Sequence, residues 1–396
     1  MRKIFHFFLL LLAAPGCVQK FQPTLNSPPA GYLVVEGIIN SGGGPAIVTL
    51  SRTTVLSDSS MFHESGAKVQ VEGNDNSIYP FNEKGNGIYG TDQLLLSSAK
   101  GYRLRIKTTD GKEYLSDFSA PKTTPPIDSL NWKLGSDGVR VYVNTHDPMN
   151  NTIYYKWDYE ETWEIHSHYL IAAYYDTLKD TQGNPIIDVN GNPRLWVIPA
   201  TSIDYSLSKC WRTVPSTDIL AESSIKLSND VIADFPVSFI PLGSDKLAFK
   251  YSILVKQYAI PVDEYNFLQL MKKNTEQTGS IFSSQPSQLQ GNIHCVSNPG
   301  ETVMGYVSFC SVEDKRIFIS YSQLANWTVI DTLGCQADSF YNRPDIVLQV
   351  FKKGLIPTIP LQVDFYSGNI INFLAAPPSC VDCRLYGTNQ QPPFWQ

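Results

Sequence analysis

Charge is scarce in this chain. Asp, Glu, Lys and Arg make up 17% of its 396 residues, against about 25% in an ordinary soluble domain. Thirty-seven acidic residues face 31 basic ones. That balance gives no basic excess and excludes a nucleic-acid partner. The six histidines narrow the scope for histidine-based catalysis and leave carboxylate chemistry open. The sequence has no G-x-S-x-G elbow, no G-x-x-x-x-G-K-[ST] phosphate loop and no H-E-x-x-H helix, so these three routes to catalysis are excluded. Beyond the first twenty residues no stretch approaches 18 uninterrupted apolar residues, the length a membrane-spanning helix needs. Cysteine is missing between Cys17 and Cys210.

What is present is aromatic and turn-rich: 21 Tyr, 19 Phe, 26 Gly and 26 Pro. This composition favours strands and turns over long helices, and it excludes coiled coil, collagen and disorder. The length suits two or three domains.

The N-terminus carries an address. Arg2 and Lys3 form a basic start, Ile4 to Ala14 an apolar core, and Pro15-Gly16-Cys17 a close in small residues. Residues 1–16 read as a secretory signal. Ala14-Pro15-Gly16-Cys17 resembles a bacterial lipobox, in which the cysteine sulfur is acylated and becomes the new N-terminus. Lipidation at Cys17 would anchor the mature chain stably. Residues 17–30, with three prolines and no hydrophobic periodicity, read as a tether.

The six remaining cysteines are Cys210, Cys295, Cys310, Cys335, Cys380 and Cys383. An even number in an exported chain makes all six disulfide candidates, with fifteen possible connectivities. Cys380-Val381-Asp382-Cys383 has redox spacing but no βαβ context. It also lacks the second close pair that zinc would want.

Short alternating strands fill residues 31–120. Val69 and Val71 share a face, the arginines of Tyr102 to Lys107 point outward, and Asp110-Gly111 marks a hairpin. The spacing predicts an antiparallel Ig-like β-sandwich. Pro121 to Pro126 is the best linker. A larger β-sandwich-like domain with loop insertions and one helix is expected over 127–396. In Thr152 to His168, Tyr155, Trp157, Tyr159, Trp163 and Ile165 share one parity. Lys156, Asp158, Glu160, Thr162, Glu164, His166 and His168 share the other. This predicts a long strand with an aromatic inner face and a solvated outer one. The stripe fits a core better than a sugar platform. Glu161 is an inward exception that would mark a bulge or a hairpin break. Asp180 to Pro193 reads as a hairpin arm with Gly-Asn-Pro turns. Asp188 to Asn192 has the start of a calcium loop but lacks its glycine position and closing glutamate, so a plain turn is expected. Asp263 caps a helix running to about Gln277, with Tyr265, Leu268 and Met271 in one stripe. Strands are expected at 302–309, 316–320 and 345–351. Glu164, His166 and His168 form a weak metal candidate, two imidazoles and a carboxylate on one strand face, without an evident fourth ligand.

Several segments together resemble one family: Tyr32-Leu33-Val34-Val35-Glu36-Gly37, Pro126-Ile127-Asp128-Ser129-Leu130, Tyr251 to Tyr258, Gly291-Asn292-Ile293-His294-Cys295, Lys315 to Ile319, and Cys380-Val381-Asp382-Cys383-Arg384 ahead of Pro393-Phe394-Trp395. The chain resembles the Bacteroidota lipoproteins of domain-of-unknown-function family 4249. The resemblance implies an outer-membrane lipoprotein encoded beside a TonB-dependent transporter with a carboxypeptidase-like N-terminal domain, and no established activity. The expectation is a lipid-anchored, non-enzymatic accessory at the cell surface, without a cofactor, that docks on such a transporter and assists ligand capture. Phe394 and Trp395 are its candidate docking residues. A secreted carboxylate-based hydrolase of glycans or peptides is the alternative from a different class. A structural subunit of an envelope assembly is the third reading.

Overall fold

The fold is described from a computed structural model, over residues 31–54, 62–203, 205–276 and 291–395. The signal, the lipobox with Cys17 and the tether lie outside the described residues, as does Gln277, the last residue of the expected helix. The chain is mostly β, in sandwich-like sheets.

Nine strands open it: β1 (Leu33–Glu36), β2 (Ile38–Asn40), β3 (Ala46–Arg52), β4 (Phe62–His63), β5 (Lys68–Gly73), β6 (Ile78–Gly85), β7 (Ile88–Thr91), β8 (Tyr102–Lys107) and β9 (Glu113–Ser116). Alternation does what the pattern predicts: Val69, Val71, Leu104 and Ile106 are buried in one core with Leu33, Val48 and Tyr89. Ile293, Val307 and Phe309, from far down the chain, pack in that core too.

Nine further strands follow: β10 (Ile127–Leu134), β11 (Gly138–His146), β12 (Tyr154–His166), β13 (Ala173–Thr177), β14 (Leu195–Pro199), β15 (Lys209–Pro215), β16 (Leu220–Ser223), β17 (Val231–Pro241) and β18 (Lys250–Ala259). Helix α1 (Val262–Glu276) comes next. Its Tyr265, Leu268 and Met271 do pack together, against Ile38, Tyr258 and Ile260. Then β19 (Ile293–Cys295), β20 (Met304–Gly305) and β21 (Ser308–Cys310) return to the first unit. β19 extends it antiparallel to β9, β20 runs parallel to β1, and β21 runs parallel to β2. The sheet order is β19-β9-β8-β5-β6-β7-β3-β1-β20. Gly305 must be glycine: its φ is +118°, and a Cβ there would lie 2.0 Å from the Val35 carbonyl.

β22 (Val312–Ser320) completes a sheet ordered β15-β12-β18-β22, which packs on β10-β11-β17. Trp157, Tyr155, Ile253 and Val141 fill the space between. The register of β12 with β18 is unbroken from Tyr155 opposite Ala259 to Trp163 opposite Tyr251. Glu161 therefore marks neither a bulge nor a break. It is buried on the core face, where Lys246 Nζ (2.5 Å) and the Tyr251 hydroxyl (2.6 Å) hold it. A buried charge persists when it is paired and hydrogen-bonded. The linker is equally tied down: the Thr124 hydroxyl accepts from Ala259 N (3.0 Å), and Gln257 Nε2 donates to Pro125 O (2.7 Å).

The last unit contains β23 (Asp338–Tyr341), helix α2 (Pro344–Lys352), β24 (Ile356–Val363) and β25 (Ile370–Ala376), packed on the β13–β14 hairpin. A strand was expected at 345–351, and the segment is helical. Pro344 suits the first turn of a helix, and Val347 and Val350, three apart, are the buried pair. The Asp180–Pro193 arm is made of plain turns. Asp188 accepts from the backbone of Asn190 and Asn192 (2.8 Å each).

Candidate functional site

The second sheet presents an open cleft of about 550 Å³ where β12 ends. Glu164, His166 and His168 lie on one wall. Phe249 and Tyr321 also line it, and Trp327, Ile330 and Leu333 come from the 321–333 loop. Tyr321 N donates to Phe249 O (2.8 Å), the Tyr321 hydroxyl to Trp327 O (3.1 Å), and Trp327 Nε1 to Ser244 O (3.3 Å). Ile330 N donates to Gly243 O (2.9 Å). Gly243 sits at φ +88°, and a Cβ there would meet Ile330 at 2.6 Å. The loop is thus sewn to the sheet by its backbone and by a contact only glycine permits.

Glu164, His166, His168 and Asp331 are paired within the protein, whereas Asp245 lines the cleft with no ion pair among the described residues. Glu164 Oε1 lies 2.6 Å from His166 Nε2 and 3.0 Å from Lys209 Nζ. Burial alone would raise the Glu164 carboxyl, but hydrogen bonds from Lys209 and His166 outweigh it and hold the group below the usual range. The His166 ring stacks on Phe249 with centroids 3.7 Å apart. His168 lies beyond the end of β12 and pairs with Asp331 across 3.5 Å. The three candidate ligands are brought to one cleft, where Glu164 and His166 pair with each other and His168 pairs with Asp331. Among the described residues no three His, Cys, Asp or Glu side chains are placed to hold a metal ion. The outer face of β12 is not simply solvated either, since Thr162 and Glu164 are buried.

The expectation of an all-disulfide set needs correction. Cys210 bonds Cys383 and Cys335 bonds Cys380. The two cysteines of Cys380-Val-Asp-Cys383 take different partners, so the segment is a double staple and not a dithiol pair. Cys295 and Cys310 are free thiols, buried in separate apolar clusters. Burial pushes the Cys310 thiol up to about 12.

The C-terminus also departs from expectation. Trp395 is buried by its own chain, edge-on to Trp211 (6.4 Å) and Phe318 (5.7 Å). The Arg316 guanidinium lies 3.5 Å from the Phe394 ring centroid. A residue so enclosed is unavailable to a partner. Sequence reading missed Phe249, Tyr321 and Trp327, which are scattered over strand end and loop with no shared period. It also missed Glu264, discussed below.

A family model described as Domain of unknown function (DUF4249) matches residues 18–316. The chain belongs to this family. The DUF4249 match spans the first two units and β12, and it ends before the 321–333 loop and the Cys335, Cys380 and Cys383 segment. No curated protein matches. Among solved structures, a Salmonella alpha-2-macroglobulin mutant is 10% identical, aligning 88% of this chain with 17% of that one at a TM-score of 0.19. The BSP domain of a biofilm associated protein is 8% identical, with 78% of this chain and 63% of that one covered at a TM-score of 0.11. The chain thus spans less than two thirds of either, and likeness this weak does not show a shared fold.

Proposed function

We propose that this DUF4249 chain is a lipid-anchored outer-membrane protein of Bacteroidota that binds a ligand without transforming it and docks on a TonB-dependent transporter. The observation that carries the binding role is the cleft at the end of β12. Its walls are largely aromatic and apolar, and its Glu164, His166, His168 and Asp331 are already engaged by partners within the protein. Such a surface recognises a ligand by stacking and burial. A carboxylate held ionised, as Glu164 is, serves poorly as a general acid near neutral pH. The lipobox-like Ala14-Pro15-Gly16-Cys17 supports the anchor, and the proline-rich tether after it supports presentation away from the bilayer. Among the described residues no helix is long and apolar enough to cross a membrane.

A mild-detergent pull-down of the tagged chain from its native envelope tests the reading, alongside alkynyl-palmitate labelling. A stoichiometric β-barrel transporter should co-purify, and Cys17→Ala should abolish the label. Recovery of the chain alone under conditions that keep transporter complexes intact would overturn the docking role.

A further inference from the structure

A second cavity, of about 670 Å³, lies where the first sheet, α1 and the β12–β18 pair meet. Its walls are apolar and sulfur-rich: Ile38, Phe267, Leu268, Met271, Met304 and Tyr306. The Phe267 and Tyr306 rings lie 5.9 Å apart at 42°. Into this lining the first turn of α1 places Glu264, which is 3% exposed. Its Oε2 is buried and has no hydrogen-bond partner among the described residues. An unpartnered buried polar atom is costly, so a fold that keeps one invites a ligand to complete it.

The charges around the cavity choose the ligand. Glu36, Asp158 and Glu264 are set against Lys156 alone. Lys156 is engaged already, 3.5 Å from Asp158 and over the Tyr258 ring at 5.6 Å. Methionine and aromatic walls suit an apolar body, and rings also attract a cation. We infer that this cavity is a binding site for a small apolar molecule carrying a primary amine, with the ammonium on Glu264 and the apolar body against Phe267, Met271 and Met304.

Burial raises the Glu264 carboxyl to about 7; the nearby Ser308 hydroxyl and Lys156 lower it only in part, and Asp158 raises it further. Asp263, Tyr306 and Cys310 are the other titratable groups around it. Below that value the bound ammonium replaces a proton: the neutral acid loses H⁺ to solvent and the carboxylate formed pairs with the amine. Proton release should vanish well above neutrality, where the carboxyl is already ionised.

The test is calorimetric titration of the folded chain with 2-phenylethylamine and with its neutral analogue 2-phenylethanol, in two buffers of different ionisation enthalpy. The amine should bind at least about tenfold tighter than the alcohol. Its binding should release protons at pH 6 and not at pH 8.5. Glu264→Gln should erase the preference for the amine and the proton release while leaving alcohol binding in place. Met271→Trp, which puts bulk into the cavity and leaves Glu264 in the sequence, should abolish binding of both probes. Equal binding of amine and alcohol, a preference that survives Glu264→Gln, binding that survives Met271→Trp, or no saturable binding up to about 10 mM would each overturn the site. These readouts are independent of the β12 cleft and of the transporter.

Discussion

The two ends of this chain are held together by different means. The first unit has no disulfide among its described residues; it is closed by its own distant sequence. β19, β20 and β21 add strands to it, and Glu301, between them, binds Lys112 Nζ (2.7 Å) and the Tyr114 hydroxyl (2.7 Å), with Arg52 at 3.9 Å. A second clasp on the same sheet joins Glu72 to Arg103 (2.8 Å) and Arg105 (2.9 Å). The C-terminal region instead relies on two disulfides and a tryptophan-anchored tail. The contrast follows from core size. The first unit buries a continuous set of aliphatic and tyrosine side chains, whereas the last cluster, around Cys380, Val381 and Ala376, is small. A small core gains more from covalent constraint of its unfolded state.

All seven tryptophans lie beyond residue 120, so intrinsic tryptophan fluorescence reports the later regions and the Cys295 thiol reports the first. The largest expected effect is loss of the Cys210–Cys383 staple. Serine at both positions should cost about 4 kcal/mol in the tryptophan-detected unfolding transition, as expected for closing a long loop. The Cys295 thiol should stay as protected from a maleimide as in the parent chain. Equal loss of protection at Cys295 would mean that one cooperative unit spans the protein and would dissolve the comparison.

Trp157→Ala comes next. The side chain is fully buried, stacks on Phe235 with centroids 4.6 Å apart and donates to Gln257 Oε1 at 2.9 Å. A cost of about 3–5 kcal/mol is expected from the cavity and the orphaned amide, read by urea denaturation. A loss below about 1 kcal/mol would show that the second core re-collapses without it.

Glu301→Gln addresses the other side. Burial works to raise this carboxyl, but Lys112 and Tyr114 outweigh it and hold it below the usual range. A group depressed in the folded state contributes stability above its unfolded value, near 4.5, and that contribution is lost as pH falls through the folded value. The variant should lose about 1–3 kcal/mol at pH 7, and the loss should shrink below pH 4. Thiol protection at Cys295 is the measurement. A pH-independent loss would trace the effect to packing and not to charge.

Phe394→Ala is the smallest. Its contact with Arg316 should contribute about 0.5–1 kcal/mol, visible as a slight fall in thermal midpoint, with the recovery of the proposed transporter in the pull-down unchanged. Loss of the partner at unchanged stability would restore the tail as a docking element.

Strands were legible where one face is apolar and the other polar, because alternation then appears in the residues themselves: Val69 and Val71, Leu104 and Ile106, Tyr155 and Trp157. α1 was legible for the same reason at the helical period, through Tyr265, Leu268 and Met271. α2 was misread because Ile346, Val347, Leu348, Val350 and Phe351 form an apolar run that either period can accommodate. Pro344 before it and Gly354 after it, at φ +70°, were the available signals. Glu161 looked like a break because a charge on a core face has no sequence-level explanation until Lys246 and Tyr251 are seen beside it. The cleft was half legible. Glu164, His166 and His168 were singled out for sharing a strand face, but their partners Lys209 and Asp331, and the neighbouring Phe249 and Tyr321, come from separate elements.

By itself, the sequence determined the class and the positions of many strands along the chain, since composition and two-residue periodicity are local properties of the chain. Only the tertiary structure decided which cysteines pair, that the first sheet closes with strands from residues 293–310, and that Trp395 is spent inward. It also decided that the Glu264 Oε2 atom has no hydrogen-bond partner among the described residues. Each of these depends on distances between residues far apart in sequence, and chain periodicity carries no record of such distances.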